Sequence, residues 1–344
     1  MDALSSPFTS PNGRGSLQIE GLRVQYGSRP ALQDISLAIQ PGEYVLISGP
    51  SGCGKSTLAL AMAGLIPHAL PAHMEGRVRL AGLDTRHAPL SALIGRAGLV
   101  FQNPATQLFN HTVAEELAFA PRNLGLPAGE IARRVEFALR AAGIADLRQR
   151  PVRHLSGGER QRVAIGAVLA MRPQVLLLDE PGANLDRQGV ALLAGTLREL
   201  NRGSGMTIVL IEHRLHPFIG DAGRVVLLDE GRVRGDGAPA EMLSDPTLLA
   251  GLGLRNPWYP VGPRCDLLPP EGIRPPERPG RPLVELRSVC AGYGRRPALE
   301  QVNLRIFPGE FVALVGDNGA GKSTLARVLA GALRPSRGQI IWDR

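Results

Sequence analysis

Lysine is almost absent from this chain. Of 39 basic side chains in 344 residues, only Lys55 and Lys322 are lysine, and 39 less 2 leaves 37 arginines. Cysteine occurs three times, as Cys53, Cys265 and Cys290. That odd number without metal-ligand spacing argues against a disulfide framework or a thiolate zinc site and fits a reducing compartment. Long apolar runs are missing as well. The longest uncharged stretch, Ser56 to Met74, is broken by Pro67, His68, Pro71 and His73, so no segment reads as a membrane span. The chain does not open with a basic stretch followed by an apolar run, so no secretory signal is read. No run of five or six like charges occurs, and the net charge of +8 is read as arginine spread over a solvated surface rather than as a nucleic-acid footprint.

The apolar fraction of 44% and charged fraction of 20% belong to a globular chain, and the length suits two domains of roughly 150 residues each. The chain also repeats itself. Tyr26 to Gly64 aligns without a gap to Tyr293 to Gly331, at a constant offset of 267, with 22 of 39 positions identical. Internal duplication accounts for that. Between the copies, Asn256 to Pro282 holds 9 prolines in 27 residues, a density that no helix interior or strand ladder accepts. The expected organisation is a loose tail over 1–15, a first unit over 16–255, an extended linker over 256–282 and a shorter second unit over 283–344.

Within the first unit, apolar runs without polar alternation stand at Tyr44 to Ser48, Leu99 to Phe101, Val175 to Leu178, Thr207 to Ile211 and Val225 to Leu228. Such runs suit strands buried on both faces, hence an α/β fold with a parallel sheet between helices and ligands at the strands' carboxyl ends. Ala114 to Ala142 reads instead as a helical insertion.

The first run leads into Gly49-Pro50-Ser51-Gly52-Cys53-Gly54-Lys55-Ser56-Thr57, and Leu58 to Ala63 follow as a helix. This is a phosphate loop: glycines let the backbone N–H groups wrap an anion, and the helix N-terminus adds its positive end. Lys55 is placed to reach the outer phosphates of a nucleotide and Ser56 to ligate magnesium. The second copy repeats the loop as Gly316-Asp317-Asn318-Gly319-Ala320-Gly321-Lys322-Ser323-Thr324, so Ser323 takes the metal position there. A composition that nearly abandons lysine keeps it at both loops, where a compact ammonium on a flexible stem is required. Cys53 sits at a variable position of the loop; a solvent-near thiol beside a helix start can have a lowered pKa and react with alkylating reagents, but an unreactive thiol is the preferred reading.

Val175 to Leu178 ends on Asp179 and Glu180, an acid to hold magnesium and an acid to polarise an attacking water. Further back, Leu155-Ser156-Gly157-Gly158-Glu159-Arg160-Gln161 combines a capping box, Ser156 with Glu159, with two glycines that leave helix-start N–H groups bare for an anion. Two phosphate-binding helix starts in one unit indicate two protein surfaces closing on one nucleotide.

In this order and combination the motifs resemble those of ATP-binding cassette (ABC) ATPases, over Leu17 to Leu254 and again from Leu283. The resemblance implies a P-loop ABC-ATPase fold with a helical subdomain, followed by the N-terminal part of a second copy, with ATP and Mg2+ as ligands. It further implies that Tyr26 stacks on adenine, with Tyr293 its copy, and that Gln102 links magnesium and the attacking water to a transporter contact. Asp186 falls in the loop that communicates across a cassette dimer, and His213 is the switch histidine at the γ-phosphate. Gly182 departs from the Thr or Ser more usual after Glu-Pro. Val100 to Phe109, Thr112 to Phe119 and Arg122 to Pro127 are similar to the energy-coupling-factor (ECF) subfamily, and two cassettes on one chain resemble its tandem forms. There the ATPase sits at the cytoplasmic face of the membrane, drives vitamin or metal-ion uptake, and works with a transmembrane coupling subunit and a substrate-binding membrane subunit.

By the same resemblance, each nucleotide lies between the phosphate loop of one cassette and the Ser-Gly-Gly helix of another. The sequence stops at Arg344, before the second unit has a Gln loop, paired acids or a switch histidine, so neither composite site is complete within it. The expectation is a piece of a longer tandem ATPase, or a homodimer through the first cassette, whose short second unit is marginal in stability. The rival readings are a soluble cassette ATPase acting on ribosomes or nucleic acid and a nucleotide-binding module without turnover. Long coiled-coil heptads and cysteine pairs, which would favour a DNA-repair relative, are absent.

Overall fold

The computed structural model describes residues 15–183, 185–254, 280–293, 296–316 and 319–343, in two units divided between Pro260 and Val261. The proposed tail up to residue 14 and the proline-rich stretch over 255–279 lie outside the described residues. Gly15, counted with the tail by sequence, is buried: its N–H donates to Gln174 Oε1 at 3.1 Å and its carbonyl accepts from Thr207 Oγ1 at 2.7 Å.

In the first unit, numbering the longer helices only, the chain runs β1 (Leu17–Tyr26), β2 (Arg29–Ile39), β3 (Tyr44–Ser48), α1 (Lys55–Met62), β4 (His73–Leu80), β5 (Leu83–Asp84) and β6 (Ala97–Val100). It continues with α2 (Val113–Asn123), α3 (Ala128–Ala141), α4 (Gly157–Leu169), β7 (Val175–Asp179), α5 (Arg187–Ser204), β8 (Thr207–Ile211), β9 (Arg224–Asp229) and β10 (Arg232–Gly237). A six-stranded sheet has the order β10-β9-β3-β8-β7-β6, parallel except for the β10 edge. Its five parallel strands are the five apolar runs of the sequence.

Every residue of β3, β7 and β8 is buried because both faces of that sheet are covered. Val45, Ile47, Val175, Leu177, Val209 and Ile211 pack with α1 and a second, antiparallel sheet of order β2-β1-β4-β5. Their neighbours Leu46, Leu176, Leu178, Ile208 and Leu210 face the opposite way, onto α5 and part of α4. The antiparallel sheet was not anticipated from sequence: its strands alternate buried and exposed residues and carry bulges that interrupt the period. Ala114 to Ala142 is helical as expected, and α2, α3 and α4 share a core of Val113, Leu117, Val135, Leu139 and Val163.

The second unit contains β11 (Val284–Tyr293), β12 (Arg296–Ile306), α6 (Lys322–Leu329) and β13 (Arg337–Trp342), with sheet order β12-β11-β13. Residues 311–316, which align with β3 and its following glycine, form no strand, and Phe311 is 96% exposed. In the first unit β3 is held by β8 and β9 on either side. No such partners exist among the described residues of the second unit, and an isolated apolar segment has no ladder to join.

Candidate nucleotide site

The phosphate loop takes its shape from glycine. Gly54, just before α1, has φ of 108°, and a Cβ on it would stand 2.5 Å from the Ala31 carbonyl oxygen. Both facts exclude any other residue without rearrangement. Gly321 repeats this with φ of 86° and the Ala298 carbonyl at 2.5 Å, so the copies share backbone geometry as well as letters. Ser51, Gly52 and Ser56 are exposed along the loop's outer side, and Thr57 is half-buried in the first turn of α1. Lys55 is buried, and its ammonium donates to the carbonyls of Gly49 at 3.0 Å and Pro50 at 2.7 Å. Lys322 Nζ donates in the same way to Gly316 O at 2.6 Å, with Ser323 exposed and Thr324 buried beside it.

Cys53 is not the solvent-near thiol considered from sequence. Its side chain is buried, and burial pushes the thiol pKa up despite the nearby Lys55 ammonium. The thiol packs inward with the core that includes Leu58 and Leu228.

The acids stand at the carboxyl end of β7. Asp179 pairs in register with Ile211 of β8, so the residues after these two strands emerge side by side. Glu180 leaves the strand with φ of 47°, a left-handed conformation that is strained for a glutamate and is held by its N–H donating to Ile211 O at 2.9 Å. That twist brings Oε1 to 2.8 Å from Nε2 of His213 and Oε2 to 2.8 Å from Nε2 of Gln102. Three side chains predicted from separate parts of the sequence therefore meet at one carboxylate.

Asp179 is buried, and burial raises its pKa, with the Glu180 charge adding to the rise and the Ser56 hydroxyl opposing it. Its Oδ1 is enclosed and has no hydrogen-bond partner in the protein. An enclosed carboxylate oxygen without a donor, beside a serine hydroxyl, is chemically suited to a hard divalent cation. Asp179 and Ser56 thus fit the expected magnesium position, with Gln102 reaching Glu180 from the other side.

The other predicted residues stand on other elements. Tyr26 ends β1 and is 38% exposed, and Tyr293, in the other unit, is 52% exposed beneath the Arg327 guanidinium. Ser156 caps α4 in a full capping box, with Gly157 exposed and Gly158 half-buried in the first turn. Asp186 caps α5, accepting from Gly189 N–H at 2.7 Å, so it has a helix-starting role whatever else it does.

Sequence reasoning gave Glu212 no role of its own. It precedes His213 immediately after an apolar strand, is 3% exposed, and burial followed by the Glu180 charge pushes its pKa up to about 7. A lone acid at the end of a fully buried strand was the available signal.

The family model described as ABC transporter matches residues 32–183 and 299–344, both copies of the phosphate loop included. The chain belongs to the ABC transporter ATP-binding family. It is 39% identical to a putative ABC transporter ATP-binding protein of Methanosarcina acetivorans, across 98% of this chain and 61% of that protein. A putative ABC transporter ATP-binding protein of Pyrococcus abyssi is 43% identical across 70% of this chain and 87% of its own length. Among solved structures, cbiO1 from Clostridium perfringens, described as part of the ABC transporter complex cbiONQ, superposes with a TM-score of 0.61 at 35% identity. It covers 70% of this chain and 95% of itself. A dimeric ABC cassette bound to ADP and Pi gives a TM-score of 0.58 at 26% identity, covering 64% of this chain and 98% of that one. The fold is that of a P-loop ABC ATPase. The chain spans about 61% of the Methanosarcina relative's length.

Proposed function

We propose that this chain is the ATP-binding and ATP-hydrolysing part of a membrane importer of the energy-coupling-factor type, acting at the cytoplasmic face. The observation that carries the reading is the Glu180 carboxylate, held between Gln102 and His213 at 2.8 Å each and next to Asp179. Lys55 and the loop N–H groups would bind the phosphates, and Tyr26 would stack on adenine. Asp179, Ser56 and Gln102 would hold Mg2+, which supplies charge neutralisation at the outer phosphates.

Glu180 then accepts the proton of a water directed in line at the γ-phosphorus. Gln102 and His213 fix the carboxylate's direction, so little reorganisation remains for the reaction itself. His213 can donate from Nε2 toward Glu180, or toward a phosphate oxygen that enters the site.

The second half of the composite site would come from Ser156, Gly157 and Gly158 of another cassette. That cassette would be a second copy of this chain, and Lys322 and Ser323 would bind phosphate and Mg2+ at the loop of the second unit. Support for the importer reading is the likeness to cbiO1 and the two phosphate loops on one chain. The expected partners are a transmembrane coupling subunit and a substrate-binding membrane subunit. No helix among the described residues is long and apolar enough to cross a membrane, so partners would supply the crossing.

The test is calorimetry with Mg-ATP alongside phosphate release by the purified chain, with Glu180→Gln as control. Binding in both proteins and release in the wild type alone supports the reading, and no heat with Mg-ATP at millimolar concentration overturns it.

A further inference from the structure

Gly182 has no positive φ to explain it, unlike the glycines of the phosphate loop. Space explains it instead. A Cβ built on Gly182 would lie 2.6 Å from Oε1 of Glu212 and 3.9 Å from the ring of Phe218. A carboxylate on a flexible side chain ordinarily swings away from such an approach. Glu212 is not free to do so: it is 3% exposed, and Phe218, at 0%, closes the neighbouring side. Its backbone is fixed as well, the N–H donating to Ile47 O at 3.1 Å and the carbonyl accepting from Ser48 Oγ at 2.8 Å. Residue 182 and residue 212 therefore share one small volume, and here the side chain that fills it belongs to 212.

Both ends of that contact belong to the hydrolytic cluster. Gly182 lies two residues beyond Glu180, in the turn closed by Ala183 N–H donating to Glu180 O at 3.1 Å. Glu212 directly precedes His213, and its carboxylate accepts the His213 backbone N–H. The charged groups acting on Glu212 are Glu180 and Asp179 from the end of β7 and Arg214 from its own segment, which places the carboxylate inside the site's field.

We infer that Glu212 is a positioning residue for the Glu180–His213 pair, its side chain wedged against Gly182 so that the two segments leaving β7 and β8 keep their spacing. This rests on the proposed hydrolysis and names a residue that sets its geometry without touching nucleotide.

The test moves the wedge from one side of the contact to the other. Gly182→Thr, Glu212→Ala, Glu212→Gln and the double variant Gly182→Thr/Glu212→Ala are compared with the wild-type chain for Mg-ATP affinity, phosphate release and urea unfolding. Each of Gly182→Thr and Glu212→Ala is expected to lower kcat about tenfold or more, with ATP affinity within about twofold of wild type. Glu212→Gln, which keeps the shape, and the double variant, which restores the filling, are expected to recover most of that loss. A double variant no better than Gly182→Thr alone, or Glu212→Ala turning over like wild type, overturns the inference. If the wild-type chain binds Mg-ATP but releases no phosphate, the hydrolysis reading fails separately. The coupling is then read from unfolding: a midpoint lost in Gly182→Thr and regained in the double variant supports it, and equal loss in both refutes it.

Discussion

Nε2 of His213 reaches to within 2.8 Å of Oε1 of Glu180 because β7 and β8 are adjacent parallel strands that end together. The Asp179–Ile211 register sets the separation, and the left-handed turn at Glu180 aims the carboxylate. Glu180→Gln preserves the shape but not the proton acceptor. ATP hydrolysis is expected to fall about 10²- to 10⁴-fold while Mg-ATP affinity stays within about threefold. Phosphate release and calorimetry on the same preparation check both halves of that expectation.

Gly54 and Gly52 separate two costs that sequence motifs merge. Both have positive φ, 108° and 79°, but a Cβ on Gly54 meets the Ala31 carbonyl at 2.5 Å, whereas one on Gly52 meets nothing within 4 Å. Gly52→Ala is expected to lose about 1–2 kcal/mol of stability from backbone strain alone. Gly54→Ala should lose more, about 3 kcal/mol or above, because β2 must also move. Urea unfolding of the two variants gives the comparison, and equal losses would contradict the geometry.

The Cys53 thiol faces the core, and burial keeps it protonated. Brief alkylation of the native protein, followed by peptide mass spectrometry, is expected to leave the Cys53 peptide unmodified, and the same reagent in urea should label it fully. Native labelling at a rate like that of a free thiol would show that the loop opens.

The glycine loop with its lysine and the two acids were readable in sequence because their spacing is fixed by contacts within a few residues: a strand, a glycine turn, a helix start. The parallel strands were readable because burial on both faces removes polar alternation. What could not be read depends on contacts across the chain. The bulged antiparallel sheet has no clean period, the inward thiol of Cys53 depends on Leu58 and Leu228, and the meeting of Gly182 with Glu212 joins two strand ends. The second unit shows the converse. Residues 311–316 carry a strand's sequence without its neighbours, and Phe311 stays 96% exposed.

Glu212 gives the molecule a pH dependence with a definite sign. Its carboxyl pKa rises from 4.5 to about 7 in the folded protein, burial being the largest cause and the Glu180 charge the next. Below the unfolded value both states carry the proton, and Glu212 adds no pH dependence. As pH climbs from there, the unfolded chain releases its proton while the folded chain retains it, so ionisation favours unfolding and stability falls. The decline ends once the folded-state value is passed, after a loss on the order of 3 kcal/mol. Glu212→Gln has no proton to release, so its stability is expected to match wild type near the lower end of this window and exceed it near pH 8. Urea unfolding of both proteins without nucleotide, across that pH range, measures the difference directly. A constant difference across the range would mean that Glu212 ionises in the folded site as freely as in the unfolded chain, and that the enclosure formed by Gly182, Phe218 and the strand ends admits water.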